Sequence, residues 1–361
     1  GNFFDLFDGG NNPAWVLQGW VRDLNTIDND ELKALIDSYT PYIQNGVSVI
    51  DGKLVALPLQ VINAKLAVNT DLFEKNGLEY PKTWDDVVAC ARIISENDTD
   101  DAMGFGWSNW SIAFRRFAMQ NCIGSTGKGW YDPNTEQYDF SVFKPSIMAV
   151  KEMYDNNWMI GADDLGIDPI RARFSEGKVG MMVAYSYDVA VFTQQFPAQC
   201  NWTLVDLPTY EAGESPYYDV YMDFNNCSIS SGVSDEHLDA VVKAFLFLNS
   251  DELNSVIYAN GGIIPYKQDV INNTEVLIDV PQWPIMADIS NYRSMSLYPD
   301  SLLPLEGDVY ESVFQSVMHG ELEFDEAVAD MNERYNAAYQ QLKDGNDIDL
   351  SLYHYDYSLK K

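Results

Sequence analysis

Basic residues, histidines and cysteines are all scarce in this chain. Lys and Arg number 22 against 55 Asp and Glu, so the 361 residues carry a formal charge of −33 at pH 7. That surplus repels phosphate backbones and anionic lipid, which argues against nucleic-acid binding and polybasic membrane docking. The negative field either favours cationic ligands or is simply a solvated acidic surface that keeps the chain soluble. Apolar runs are short, as in residues 244–248 (AFLFL), against the ~18 residues of a spanning helix, so no transmembrane segment is expected. His237, His319 and His354 lie far apart without HExxH or other close ligand spacing, so no metal is expected. Cys90, Cys122, Cys200 and Cys227 are too few for a disulfide scaffold and none sits in a CxxC; pairing and buried thiols both stay open. The opening GNFFDLFD has no basic flank and carries two acids, unlike a signal peptide, and reads as the start of a mature protein or a fragment.

What is present is enough to fold. Aliphatic, aromatic and sulfur residues make up 46% of the chain, which excludes intrinsic disorder, and the length suits two domains. Thr83 and Asp86 have capping-box spacing ahead of Trp84, Val87, Val88, Ala91 and Ile94, a stripe that predicts a helix. A further helix is expected over 140–158. The run VGMMVA at 179–184 suits a strand buried on both faces, and shorter strands are expected at 202–207 and 227–230. Ser234 precedes a helix packed through Leu238, Val241, Val242, Phe245 and Leu246, and two more helices close the chain, stopping at Gly320 and Gly345. Strands alternating with helices predict an α/β architecture.

Catalytic signatures are mostly missing. The stretch 124–129 (GSTGKG) fails as a phosphate loop, because Cys122 stands where the first glycine belongs and Gly129 follows the lysine. No GxSxG elbow occurs. The acidic stretches 98–101 and 344–349 lack full calcium-loop spacing and read as solvated loops. Aromatics beside Gly, Asn, Ser and Asp stand out instead: Trp107-Ser108-Asn109-Trp110, Tyr185-Ser186-Tyr187-Asp188, and Tyr221-Met222-Asp223-Phe224. Flat apolar faces next to short polar side chains suit a sugar, whose C–H faces stack while its hydroxyls need nearby donors and acceptors.

Six motifs in order carry a family resemblance. DGKLVALPL at 51–59, VNTDLFEKNGL at 68–78 followed by PKTWDD at 81–86, FSEGKVGMM at 174–182, AFLFL at 244–248, GGIIP at 261–265 and GELEFDEAV at 320–328 together resemble the family 1 extracellular solute-binding proteins of ABC importers. That family includes the maltodextrin-binding proteins. The resemblance implies a two-lobed, type II periplasmic-binding-protein-like fold with a ligand cleft between the lobes. It also implies that an initial strand, helix and strand of the first lobe are missing before Phe3. The first lobe would comprise 1–62 and 225–264, the second 63–224 and 265–361, with crossings near 61–63, 223–226 and 264–267.

By the same resemblance, the protein is a non-catalytic monomer that needs no cofactor. It would deliver solute to ABC permease transmembrane subunits from outside the cytoplasm, as a cell-surface lipoprotein or a periplasmic protein. Phe7 and Asp8 fall at the first lobe's rim, and Gln60 and Asn63 flank the first crossing. Trp107, Asn109 and Trp110 match a cleft loop, while Tyr187, with Tyr185 and Asp188 beside it, matches a stacking aromatic. Asp223 opens the second crossing, and Trp283 and Arg293 lie in a variable segment that lines the cleft. Ile62 stands where the family often has an acid. A saccharide is the expected ligand. The alternatives are a polyamine-like cation, met by Asp8, Asp188 and Asp223 against aromatic walls, and a glycoside hydrolase with paired carboxylates.

Overall fold

The computed structural model describes residues 4–9, 12–97, 101–107, 119–161, 166–213, 217, 219–224, 227–294 and 298–345, with main chain alone for 119–120, 219–224 and 294. The elements that frame the site are, in chain order, β1 (Leu6–Asp8), α1 (Pro13–Leu17), β2 (Gln60–Ile62), β3 (Ala64–Asn69), α2 (Trp84–Asn97), β4 (Met103–Trp107), β5 (Met159–Gly161), α3 (Ile167–Ser175), β6 (Val179–Tyr185), β7 (Trp202–Val205), β8 (Asp219–Phe224), β9 (Cys227–Ile229), β10 (Ile264–Pro265), α4 (Gln282–Ala287) and β11 (Tyr292–Ser294).

Local chemistry starts α2 as its sequence dictates. Thr83 Oγ1 accepts the Asp86 N–H at 3.2 Å, and Asp86 Oδ2 accepts the Thr83 N–H at 2.9 Å and the Lys82 N–H at 3.0 Å. This reciprocal box satisfies donors that a helix start leaves open. Trp84, Val87, Ala91 and Ile94 are then buried. Gly104 of β4 permits close approach of that helix, because a Cβ there would overlap the main chain of Ala91.

Five strands form the main sheet, in the order β7-β3-β6-β4-β5, all from segments expected in the second lobe. Strands β6, β4 and β5 are mutually parallel, whereas β3 runs antiparallel to both β6 and β7. All seven residues of β6 are buried. Met181, Val183 and Tyr185 join a core that includes Trp84 and Val87 of α2, while Met182 and Ala184 join one that includes Ile170 and Phe174 of α3. The helix expected over 140–158 is shorter: a 3₁₀ turn spans Phe140–Phe143 and the α-helix covers Lys144–Asp155. Pro145 sits in its first turn, where a missing N–H is harmless. The closing helices Tyr310–Met318 and Phe324–Gly345 pack with it around an aromatic core that holds Tyr131, Tyr138, Phe140, Tyr335 and Tyr339.

A second sheet, β10-β2-β8-β11, contains the segments expected to cross between lobes. Val61 lies between Asp223 and Ile264, and Gln60 between Phe224 and Pro265. Strand β11 was not anticipated; it adds alongside β8, with Arg293 opposite Val220. Segments expected in the first lobe form the antiparallel pair β1–β9, with Phe7 opposite Ser228. Helices Asp30–Tyr39 and Asp235–Leu248 cover it through Leu32, Tyr39, Val242 and Phe245. Helix Gln268–Asn273, expected with the second lobe, packs against Asp251–Ala259, expected with the first. All four cysteines are thiols rather than disulfides, Cys90 and Cys122 buried and Cys200 and Cys227 partly so. Among the described residues, no helix is long and apolar enough to cross a membrane.

Candidate functional site

Because β4, β5 and β6 are parallel, their carboxyl ends, Trp107, Gly161 and Tyr185, fall on one edge of the main sheet. The edge is completed by Ala64, the first residue of β3, opposite Tyr185. In open α/β sheets this is the edge where ligands are received. Asn63 joins β2 of the crossing sheet to β3, and its carbonyl accepts the Ser186 N–H at 3.0 Å. The turn Tyr185-Ser186-Tyr187 is thereby tied to the junction of the two sheets. The Tyr185 and Tyr187 rings stack there, 5.7 Å apart and inclined by 30°.

A buried ion pair lies behind the two tyrosines. Asp188 is fully buried; one carboxylate oxygen accepts from the Arg171 guanidinium, and the other accepts the Tyr185 N–H at 2.7 Å. Arg171 also donates to Asp168 at 2.9 Å, and its guanidinium carbon lies 5.4 Å from the centroid of the Tyr187 ring. Burial alone would lower the Arg171 pKa. Attraction to Asp188, together with the hydrogen bonds to Asp168 and Asp188, overrides burial and holds the group above its ordinary value.

The remaining expected residues divide by burial. Tyr187 is half-buried, but Tyr185 is buried, so the ring with free surface is Tyr187. Gln60 and Asn63 are buried in the junction, and Asn63 Nδ2 donates to the Met286 carbonyl of α4 at 2.8 Å. Trp107 departs from its expected role. It is buried against Phe105, ring centroids 5.9 Å apart, because it ends a strand whose side chains fill the second-lobe core. Trp283 departs likewise. It has no exposed surface and lies 5.6 Å from the Tyr258 ring, among residues of α3, β6 and α4, so it packs in a core. Asp188 is committed to Arg171 and is no free acid for a cation. Arg293 is half-buried, with Nη1 donating to the Tyr292 carbonyl at 2.7 Å. Asp223 contributes β8 main chain opposite Val61, its side chain lying outside the described residues, as do Asn109 and Trp110 entirely.

On the first lobe, Asp8 is exposed and Phe7 half-buried. Phe7 lies 6.1 Å from Trp15 of α1, a half-buried tryptophan that sequence reading did not single out. Helix α1 packs against the 3₁₀ turn Pro299–Leu302, a segment expected with the second lobe. Its signal was the pattern Asn12-Pro13 ahead of an aromatic, with Asn12 Oδ1 accepting the Ala14 N–H at 2.9 Å. Two cavities of about 400 Å³ lie elsewhere, one between β7 and α4 and one between α2 and Lys144–Asp155. Neither includes a tyrosine of the stacked pair.

The model of one family, described as bacterial extracellular solute-binding protein, matches residues 2–226. The chain belongs to that family. Among relatives, the diacetylchitobiose-binding protein DasA of Streptomyces coelicolor is 23% identical over 280 residues, covering 74% of this chain and 62% of DasA, which is less than two thirds of that relative. A solved chitin oligosaccharide binding protein superposes with a TM-score of 0.73 at 15% identity, covering 94% of this chain and 85% of that one. UgpB from Mycobacterium tuberculosis, solved with glycerophosphocholine, gives 0.72 at 15% identity, covering 96% and 85%. At such identities these structures establish the fold, the two-lobed type II architecture. The family and these relatives are binding proteins rather than enzymes. Within this solute-binding family member, Tyr185–Tyr187 and Phe7–Trp15 are aromatic pairs that include residues expected at the cleft.

Proposed function

We propose that this chain is the solute-capturing component of an ABC importer and that its solute is a saccharide, held between the lobes and released unchanged. It works outside the cytoplasm, at the cell surface or in the periplasm, as a monomer that hands its solute to permease subunits. The stacked Tyr185–Tyr187 pair carries the reading, set at the carboxyl ends of parallel strands and tied by Ser186 to the crossing sheet. Aromatic faces at that edge suit the C–H faces of a pyranose. Phe7, Trp15 and Asp8 supply the matching rim of the first lobe. Lobe closure around the ligand completes contacts to both walls and so shifts the population toward the closed state. DasA and the chitin oligosaccharide binding protein, both named for amino-sugar oligomers, support a carbohydrate. The burial of Asp188 against Arg171 weakens the polyamine alternative by removing one of its three acids.

A thermal-shift screen with N,N′-diacetylchitobiose, maltotriose, glucose, glycerophosphocholine and spermidine tests this reading. A ligand that binds only the folded state raises the melting temperature in a saturable way. The expected result is a rise with at least one saccharide and none with spermidine. A rise confined to spermidine or glycerophosphocholine would overturn the carbohydrate assignment.

A further inference from the structure

We infer that Arg171, clamped between Asp168 and Asp188, is the positioning residue of the tyrosine platform: it fixes the Tyr187 ring for a ligand that Arg171 itself does not touch. The inference rests on the saccharide reading above and adds to it the group that holds the site in its binding geometry.

Three contacts converge on the turn after β6. Arg171 projects from α3 and pairs with Asp188, which is fully buried. Asp188 uses its second oxygen to hold the Tyr185 N–H, fixing the main chain where β6 ends. The guanidinium also lies over the Tyr187 ring, which stacks in turn on Tyr185. Arg171 therefore restrains Tyr187 both through the main chain and through its ring face. Lysine is a poor substitute, since a point-charge ammonium lacks the planar fork that lays a flat face on the ring while its edges donate to two carboxylates. The charge is spent internally on Asp168 and Asp188, so a neutral ligand meets no unpaired cation. A platform fixed in advance spares the ligand the entropy of ordering it, and that is how such a device raises affinity.

The test is a double-mutant cycle. Wild type, Arg171→Met, Tyr187→Ala and the double variant are titrated with N,N′-diacetylchitobiose, and with maltotriose as a second probe. If Arg171 acts through Tyr187, its loss weakens binding in the wild-type background and has almost no effect in the Tyr187→Ala background. The expected coupling is roughly 2- to 150-fold, the span for residues in contact. Additive losses would overturn the inference. A ligand-free arm separates it from the saccharide reading: nitration by tetranitromethane, mapped by mass spectrometry, should run faster at Tyr187 in Arg171→Met, while exposed Tyr80 is unchanged. Equal Tyr187 rates would overturn the positioning role even if sugars bind. A faster Tyr187 with no sugar bound by wild type would leave that role standing and remove the carbohydrate. Should Arg171→Met fail to fold, Arg171→Lys is measured in both arms, with the same coupling and acceleration expected because lysine lacks the fork; wild-type values in both would overturn the inference.

Discussion

Tyr187 and Asp188 are neighbours in sequence, yet one keeps exposed surface and the other has none. The difference comes from Arg171, seventeen positions upstream, which a one-dimensional reading has no means of pairing with Asp188. Removing one partner of a buried ion pair leaves the other charged and unsolvated. Arg171→Met, which leaves the fully buried Asp188 without its counter-charge, should therefore cost ~3–5 kcal/mol of stability, measured by urea unfolding; a loss below about 1 kcal/mol, the size of a surface pair, would show the pair to be dispensable. The thiols supply a second prediction at this scale. Burial pushes Cys90, Cys200 and Cys227 up to about 11, with Asp86, Asp71 and Asp8 respectively adding to it. Their alkylation by iodoacetamide should be slow at neutral pH and accelerate only as pH climbs toward those values. The linkage has the same sign: a raised thiol pKa contributes stability that is whole below the unfolded value of ~8.5 and is lost as pH rises through about 11. Fast alkylation of native protein at neutral pH would contradict this.

Elements were the most legible scale. The Thr83–Asp86 box and the continuous apolar run of β6 were both readable, because each depends on residues within a few positions of one another. Trp107 and Trp283 were not. A tryptophan beside glycine or proline looks like a surface ring until strands and helices distant in sequence close over it, as Tyr258 does around Trp283. The resemblance supplied the expected crossing segments, whereas β11 was missed because its three residues carry no strand pattern of their own. Thr83→Ala should cost ~1 kcal/mol by opening the α2 cap. For Asp86, burial raises the pKa, but hydrogen bonds from Lys82 and Thr83 outweigh it and leave the value below normal. The stability this supplies is present above the unfolded carboxylate value of ~3.9 and is lost as pH falls through the lower folded one. Thr83→Ala should thus flatten the acid limb of the melting-temperature profile; an unchanged limb would contradict the cap. Gly104→Ala should destabilise by ~1–3 kcal/mol or more through overpacking against Ala91.

The whole molecule carries a charge of −33, and that self-repulsion opposes compaction. The melting temperature should rise from low salt to about 1 M NaCl, where the screening length is ~3 Å; a fall would mean that attractive surface pairs dominate instead. The same charge said little about the ligand, since of the described acids expected at the site Asp188 is committed to Arg171 and Asp8 is exposed. The fold was legible at this scale because six motifs follow one another in order between residues 51 and 328. The site was legible only in part, because burial decides which of its aromatics face a ligand. The most direct test is calorimetric titration of N,N′-diacetylchitobiose and maltotriose into wild type and Tyr187→Ala. The account predicts saturable one-to-one binding of a saccharide, weakened by ~1–3 kcal/mol when the ring is removed. Binding that is indifferent to Tyr187, or no heat from any saccharide, would contradict it.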